Sequence, residues 1–125
     1  MIKDIVTTDS IAKPVGPFSA AVHAGGLLFF SGQVAQDPET GKLINGDFSA
    51  QTERVFKNIG LLLAAAGKDF SHVVKVTVFL TRMTDFPQMN EIYGRYFDKP
   101  YPARTSVAVT TLPLGAEIEL DVVAQ

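Results

Sequence analysis

One segment near the middle of the chain constrains the fold more than any other. Residues 73–80 read Val-Val-Lys-Val-Thr-Val-Phe-Leu, so apolar side chains stand on both alternating faces of a strand. A strand of this kind lies inside a sheet with both of its faces covered. The chain has only two helical segments, and two helices cover one face of a five- or six-stranded sheet. We therefore expect a second subunit against the other face.

The two helical segments are marked by apolar residues that recur three and four positions apart. The first runs over residues 49–66, where Asp47 or Ser49 is available as the N-cap and Gly67 as the terminator. The second runs over residues 86–97. Stripes with this spacing are most often core, so Tyr93 in the second helix is predicted to be a core residue.

Alternating and continuous apolar runs predict the remaining strands. They cover residues 19–24, 27–31, 105–110 and 117–124, and a weaker strand covers residues 2–7. Residues 36–47 are rich in turn formers and predict a connection or small hairpin. This order predicts one α+β domain over residues 1–125, a mixed sheet of about six strands with two helices packed on one face.

Composition argues against several classes of function. The chain has no Cys and two His that lack metal-binding spacing, so we expect no metal and leave only an oxygen-ligand site open. The net charge is −2, with 11 basic residues scattered among 13 acidic ones, so we expect no nucleic-acid partner. The amino terminus is unlike a signal peptide and no apolar run would span a membrane. We therefore expect a cytoplasmic protein without a membrane partner.

Arg104 is the first candidate for binding chemistry. It stands at the entrance to the predicted strand 105–110, after Pro100 and Pro102, which fix the backbone of the approach. A guanidinium held in this way accepts the two oxygens of a small carboxylate side by side and stays charged at every relevant pH. The alternative is a solvated arginine at a strand end.

The last predicted strand carries a second candidate group. Glu117, Glu119 and Asp121 alternate along it and are predicted to point to one face of the sheet. Like charges so close together repel each other unless they are solvated or paired. This face is therefore either wet or in contact with cations.

Together these segments resemble the RidA/YjgF family of imine deaminases, also called reactive intermediate deaminases. The resemblance covers nearly the whole chain, and its motifs occur in the family's order and spacing. They are Gly16-Pro17-Phe18-Ser19, Phe30-Ser31-Gly32-Gln33, residues 74–80 followed by Asp85-Phe86 and residues 90–93, Pro102-Ala103-Arg104-Thr105, and Glu119.

This resemblance implies a chorismate-mutase-like fold assembled as a homotrimer, with active sites between subunits. It implies an enzyme similar to 2-iminobutanoate/2-iminopropanoate deaminase. Such an enzyme hydrolyses 2-imino and enamine acids, such as 2-aminoacrylate and 2-iminopropanoate, to 2-keto acids and ammonia. No metal or organic cofactor is implied, and the partner is a small-molecule carboxylate substrate.

A 2-imino acid requires a carboxylate clamp, a positioned water and a proton acceptor. Arg104 is the predicted clamp, and Glu119 is predicted to orient the water and take its proton. Ser31 and nearby backbone groups are predicted to bind the imine nitrogen or the carbinolamine, although the Ser31 hydroxyl has the alternative role of closing a turn. Phe18 is predicted to form an apolar pocket wall, and Gly32 to meet a backbone requirement or a close approach of ligand.

The sequence departs from the family pattern at Phe18, where many deaminating members have tyrosine, and at Ala20, where glutamine is frequent. The missing hydroxyl predicts a rate about fivefold to tenfold lower and a preference for bulkier or less polar imino acids. Two other functions remain open. One is noncatalytic binding of small 2-keto or amino acids. The other is a translation-inhibiting ribonuclease, against which the acidic balance and the lack of a histidine pair both count.

Overall fold

The computed structural model describes residues 3–125, which form one six-stranded sheet and two α-helices. The strands are β1 (Asp4–Val6), β2 (Ala21–Ala24), β3 (Leu27–Phe30), β4 (Val73–Leu80), β5 (Ala103–Ala108) and β6 (Ile118–Ala124), and the helices are α1 (Phe48–Ala65) and α2 (Phe86–Tyr93). The order in the sheet is β1-β2-β3-β6-β4-β5. The β4–β5 pair is parallel and all other pairs are antiparallel, so the sheet is mixed as predicted.

Strand β4 lies between β5 and β6, the interior position that its apolar faces predicted. Because parallel neighbours need a crossover, α2 lies in the connection from β4 to β5. This connection leaves β5 at the edge of the sheet.

Helix α1 is fixed at its ends by Asp47, one of the two predicted N-cap residues, and by Gly67, the predicted terminator. The Asp47 carboxylate accepts a hydrogen bond of 2.9 Å from the N–H of Ala50. Gly67 adopts a left-handed φ of 72°, which lets the N–H of Lys68 donate back to the carbonyl oxygen of Leu63 at 2.9 Å.

Helix α2 is shorter than predicted, since it ends at Tyr93 and not at residue 97. After Gly94 the α-helical hydrogen bonds give way to tighter turns, in which the N–H groups of Arg95 and Tyr96 donate to the carbonyl oxygens three residues earlier. The apolar stripe continues through these tight turns, and Phe97 still packs in the core. The apolar spacing over residues 86–97 therefore predicted correctly which side chains are buried, but its prediction of where α2 ends is wrong.

The other bounds differ from the predicted ones by a few residues. Strand β5 begins at Ala103, so Arg104 lies inside the strand and not before it. Strand β1 falls within the weak strand predicted over residues 2–7, of which residue 2 lies outside the described part of the chain. In the turn-rich segment, Gln36 and Leu43 form an antiparallel bridge, as a small hairpin requires.

The core lies between one face of the sheet and the two helices. Alternate residues of β4 and β6, from Val76 to Leu80 and from Ile118 to Ala124, are buried against both helices. On the opposite face, the apolar residues Phe29 and Val107 are 41% and 37% exposed to solvent when only residues 3–125 of one chain are considered. Two helices thus cover one face only. On the open face β4 presents Lys75, Thr77 and Phe79, so this face is more polar than the sequence predicted.

Candidate active site

Arg104 projects from the edge strand toward α2. It is the parallel neighbour of Val76, which is fully buried on the helix side of the sheet. Its guanidinium carbon lies 4.7 Å from the ring centre of Tyr93 and 5.5 Å from that of Phe86, within the range of cation–π attraction. None of the ion pairs within residues 3–125 involves Arg104. The guanidinium is therefore held by ring faces and keeps its hydrogen-bond donors for a ligand.

The cleft in front of this side chain has a volume of about 290 Å³ and is called the Arg104 cleft below. It is lined by Arg104, Asn90, Tyr93, Gly94, Tyr101 and Pro102. Asn90 and Tyr101 are cleft residues that were not predicted from the sequence. The signal for Asn90 was its position three residues before Tyr93, which places both on one side of α2. The signal for Tyr101 was its place between two prolines.

Two buried hydroxyl groups near this cleft have no hydrogen-bond partner within residues 3–125, those of Tyr93 and Ser106. Ser106 lies two residues after Arg104 on the same face of β5. Burial raises the pKa of Tyr93 above its ordinary value, and the charge of Arg104 opposes part of that rise. Tyr93 is thus the core residue that the sequence predicted, and in addition supports the Arg104 guanidinium.

Glu119 lies in β6 beside Phe79 of β4, and its side chain packs on Gly32. A methyl group at residue 32 would lie 2.8 Å from the carboxyl carbon of Glu119. Glycine at this position therefore meets the close approach of a side chain. Burial raises the pKa of Glu119 above its ordinary value, and the nearby charge of Asp121 raises it further.

The cleft beside this carboxyl group has a volume of about 370 Å³ and is called the Glu119 cleft below. It brings together three of the predicted site residues, Glu119, Phe18 and Gly32. Lys13 and Leu114 also line it, and sequence reasoning missed both. They lie in irregular segments that carry no periodic signal.

Ser31, the residue before Gly32, is tied into the fold by two hydrogen bonds. Its hydroxyl donates to the carbonyl oxygen of Ser19 at 2.6 Å, and its N–H donates to that of Ala20 at 2.9 Å. The Ser31 hydroxyl therefore has a structural partner, but one that is 12 residues away along the chain, so the bond ties the end of β3 to the segment before β2 and does not close a local turn. Because the hydroxyl proton is donated to Ser19, the Ser31 oxygen can interact with any further partner only as a hydrogen-bond acceptor.

Arg104 and Glu119 lie on opposite faces of the sheet. Their neighbours on β4, Val76 and Phe79, are three residues apart, and side chains at odd spacing along a strand point to opposite sides. Within one chain, the two predicted catalytic groups therefore do not meet.

The prediction that Glu117 shares a face with Glu119 and Asp121 is wrong. Glu117 lies just before β6, and its carboxylate accepts hydrogen bonds from the Gln51 amide at 3.0 Å and from the Arg82 guanidinium at 2.7 Å. Because strand geometry begins only at residue 118, these partners are free to turn Glu117 away from the row. The acidic pair on the open face is Glu119 and Asp121.

Within residues 3–125, no group of three or more His, Cys, Asp and Glu side chains is arranged to hold a metal ion. In the same part of the chain, no helix has the length and apolar character needed to cross a membrane.

Comparison with known proteins identifies the family. The profile of the family described as Endoribonuclease L-PSP matches residues 8–125. The human protein named 2-iminobutanoate/2-iminopropanoate deaminase is 40% identical over 124 residues, which is 99% of this chain and 90% of the relative.

Solved structures agree with this match. YyfA of Yersinia pestis, described as a protein of the conserved Rid family, superposes with a TM-score of 0.94 at 39% identity and covers 98% of both chains. TdcF of E. coli, solved with bound serine, superposes with a TM-score of 0.89 at 32% identity and covers 97% of both chains. These neighbours confirm the chorismate-mutase-like fold, and the chain belongs to the RidA/YjgF family.

Proposed function

We propose that this chain hydrolyses 2-imino acids to 2-keto acids and ammonia, in clefts shared by neighbouring subunits of a homotrimer. The observation that carries the proposal is the Arg104 guanidinium, which rests on the rings of Tyr93 and Phe86 and has no acidic partner within residues 3–125. A planar cation with free donors matches a carboxylate ligand. The name of the human relative supports the choice of reaction.

The need for two subunits follows from the positions of the two polar groups. Arg104 lines a cleft on the helix side at the sheet edge, whereas Glu119 lines a cleft on the open face. A second copy that packs against the open face buries Phe29 and Val107 and brings its own edge strand near Glu119. Repeated by a closed rotation, the contact gives equivalent sites around a ring, and the ring we propose has three subunits.

In the proposed site, the Arg104 fork binds both oxygens of the substrate carboxylate. This contact fixes the imine carbon, which is one bond away, and converts the attack of water into a step with defined geometry. Stacking on Tyr93 limits the motion of the guanidinium, so little freedom is lost on binding.

Glu119 handles the protons in the proposed reaction. Its carboxylate takes a proton from a water as the water oxygen bonds to the carbon of the protonated imine, which gives a carbinolamine. The carboxyl group then returns the proton to the nitrogen, the carbon–nitrogen bond breaks, and the hydroxyl proton leaves with ammonia as ammonium. The raised pKa of Glu119 favours this exchange, because proton transfer is most efficient when the pKa lies near the working pH.

Ser31 and Gly32 supply the remaining polar contacts. The Ser31 oxygen, whose proton is donated to Ser19, accepts an N–H of the protonated imine. The N–H of Gly32 has no acceptor within residues 3–125 and is available to the carbinolamine oxygen. These contacts need only modest strength, because the uncatalysed hydrolysis is itself fast.

The two alternative functions are supported by fewer observations. Noncatalytic binding requires Arg104 alone and is consistent with the serine bound to TdcF. A ribonuclease needs paired proton-transfer groups, and residues 3–125 offer no histidine pair for it. His23 lies in β2, while His72 lies in the turn before β4, where its ring contacts Asp69 at 3.1 Å. Imine hydrolysis is therefore the function we propose.

The decisive experiment generates 2-aminoacrylate with a dehydratase and measures the appearance of keto acid. Wild type should accelerate it, Arg104→Ala should abolish the acceleration, and Arg104→Lys should reduce it about 10- to 100-fold because lysine lacks the fork. Arg82→Lys is the matched control, since Arg82 pairs with Asp85 and Glu117 outside both clefts. Carboxylate binding without any acceleration by wild type would establish the binder instead.

A mixing experiment tests the shared site. Arg104→Ala and Glu119→Ala chains are each inactive, but trimers refolded from equal amounts contain sites with both native residues. Random assembly predicts about a quarter of the wild-type activity. Mixtures that stay as inactive as the separate variants would exclude a site between subunits.

A further inference from the structure

Exposed apolar side chains converge on the Glu119 cleft. Val15 is 90% exposed, Leu114 is 56% exposed and Phe18 is 54% exposed, and all three line this one cleft. Large apolar side chains that lie together in the open usually mark a surface that binds something. Four side chains of the cleft are polar, those of Lys13, Gln33, Gln36 and Glu119, and the other lining residues are apolar or glycine.

Leu114 is held in this position by an unusual backbone conformation. Its φ is 61° and its ψ is 16°, and within residues 3–125 it is the only residue other than glycine with a positive φ. This left-handed conformation is unfavourable for a large side chain and is mostly taken by glycine or asparagine. The turn is closed on either side by hydrogen bonds from Gly115 to Leu112 and from Ala116 to Pro113. The backbone alone gives no reason for leucine here, whereas an apolar ligand gives one.

We propose that Leu114, with Val15 and Phe18, forms an apolar subsite that selects 2-imino acids with branched aliphatic or aromatic side chains over 2-iminopropanoate. The inference rests on the proposed function, which assigns the carboxylate to Arg104 and the water to Glu119. The third substituent on the imine carbon then faces the rest of the Glu119 cleft. A methyl group leaves most of that cleft to water, whereas a larger apolar group displaces the water and covers the exposed side chains.

The first test measures binding of the stable keto-acid products by calorimetry. Wild type should bind 4-methyl-2-oxopentanoate about tenfold more tightly than pyruvate, as expected for a few methylene groups in an apolar pocket. Leu114→Asn keeps a residue that tolerates the left-handed conformation and is similar in size, so it should lower this ratio to about twofold. Leu114→Gly keeps the backbone without the side chain and should lower the ratio in the same way.

Met83→Asn is the matched control, because Met83 is another exposed apolar side chain and lines neither cleft. Its binding ratio should remain that of wild type. Equal affinity of wild type for the two keto acids, or a ratio that Leu114→Asn leaves unchanged, would overturn the inference. So would a loss of the oligomer in Leu114→Asn seen by sedimentation, because the apolar cluster would then be a subunit contact.

A second measurement separates this inference from the proposed function. The imines of leucine and alanine are made in situ by an amino-acid oxidase, and kcat/KM for their hydrolysis is compared. A wild type that binds the larger keto acid selectively but accelerates neither hydrolysis would overturn the proposed function and leave the apolar subsite in place. A wild type that hydrolyses both imines equally well would overturn the subsite and leave the function in place.

Discussion

The carboxyl group of Glu119 lies against the α-carbon of Gly32, with no room for a methyl group between them. The φ of Gly32 is not among the positive ones, so its backbone accepts alanine and only the side-chain space is restricted. The contact thus links a glycine in the turn after β3 to the proposed proton acceptor of β6 across the open face of the sheet.

Gly32→Ala should therefore act through Glu119. The new methyl group pushes the carboxyl group aside, and we expect imine hydrolysis to fall about 10- to 100-fold while the chain stays folded. The keto-acid assay measures this loss. A double-mutant cycle measures the cause, since the cost of Gly32→Ala in stability should largely vanish in the Glu119→Ala background. A cost that persists in that background would place the clash elsewhere.

Glu119→Gln should change stability in a pH-dependent way. The pKa of Glu119 is raised in the folded chain, so the folded state binds its proton more tightly than the unfolded state does. The stability from this group is fully present below its unfolded-state pKa and is lost as the pH rises through the folded-state pKa. The variant should therefore have a higher Tm than wild type at pH 7, and the difference should shrink toward pH 4. Thermal unfolding of both proteins at pH 7 and at pH 4 measures the difference in Tm. A difference in Tm that does not vary with pH would contradict the burial of this carboxylate.

Phe18→Tyr should raise the rate of imine hydrolysis. The ring lies in the Glu119 cleft, and a hydroxyl at its edge offers one more hydrogen bond to water or substrate, worth about fivefold to tenfold in rate. Coupled generation of 2-aminoacrylate measures the effect. Phe70→Tyr, which adds the same group in the aromatic cluster with Phe56 and Tyr96, should not change the rate. An unchanged rate in Phe18→Tyr would mean that the hydroxyl has no part in the reaction of this chain.

Tyr93→Phe should stabilise the fold without harming the site. The Tyr93 hydroxyl is buried and has no hydrogen-bond partner within residues 3–125, so its removal should increase the free energy of unfolding by about 1 kcal/mol. The ring that supports Arg104 remains, and activity should be retained. Tyr93→Leu removes that ring and should lower activity, chiefly through KM. Urea unfolding and the keto-acid assay measure the two effects, and a destabilised Tyr93→Phe would reveal a partner for the hydroxyl in the assembled protein.

The parts of the fold that the sequence predicted are those with strong period and local end signals. Strand β4 has its predicted bounds, and Asp47, one of the two residues predicted as the N-cap of α1, is the observed cap. The end of α2 was wrong because tight turns after Gly94 preserve the pattern of burial without preserving the helix.

The relation between the two clefts could not be predicted from the sequence. The opposite facing of Arg104 and Glu119 depends on the registers of β5 and β6 against β4, which are set by long-range pairing and not by local period. Leu114 was missed for a different reason. Its left-handed conformation arises in a short turn, where leucine carries no sequence signal for it.

Because β5 lies at the edge of the sheet, substitutions around Arg104 and substitutions in the loops of the Glu119 cleft affect different parts of the molecule. In the proposed reaction, the substrate carboxylate is bound where β5 meets α2, whereas the rest of the substrate contacts loops on the opposite face of the sheet. Within residues 3–125 the two clefts have no lining residue in common, so a substitution in the loops leaves the residues around Arg104 unchanged. Under the proposed function, loop substitutions alone would therefore change which substrate is preferred while the reaction stays the same.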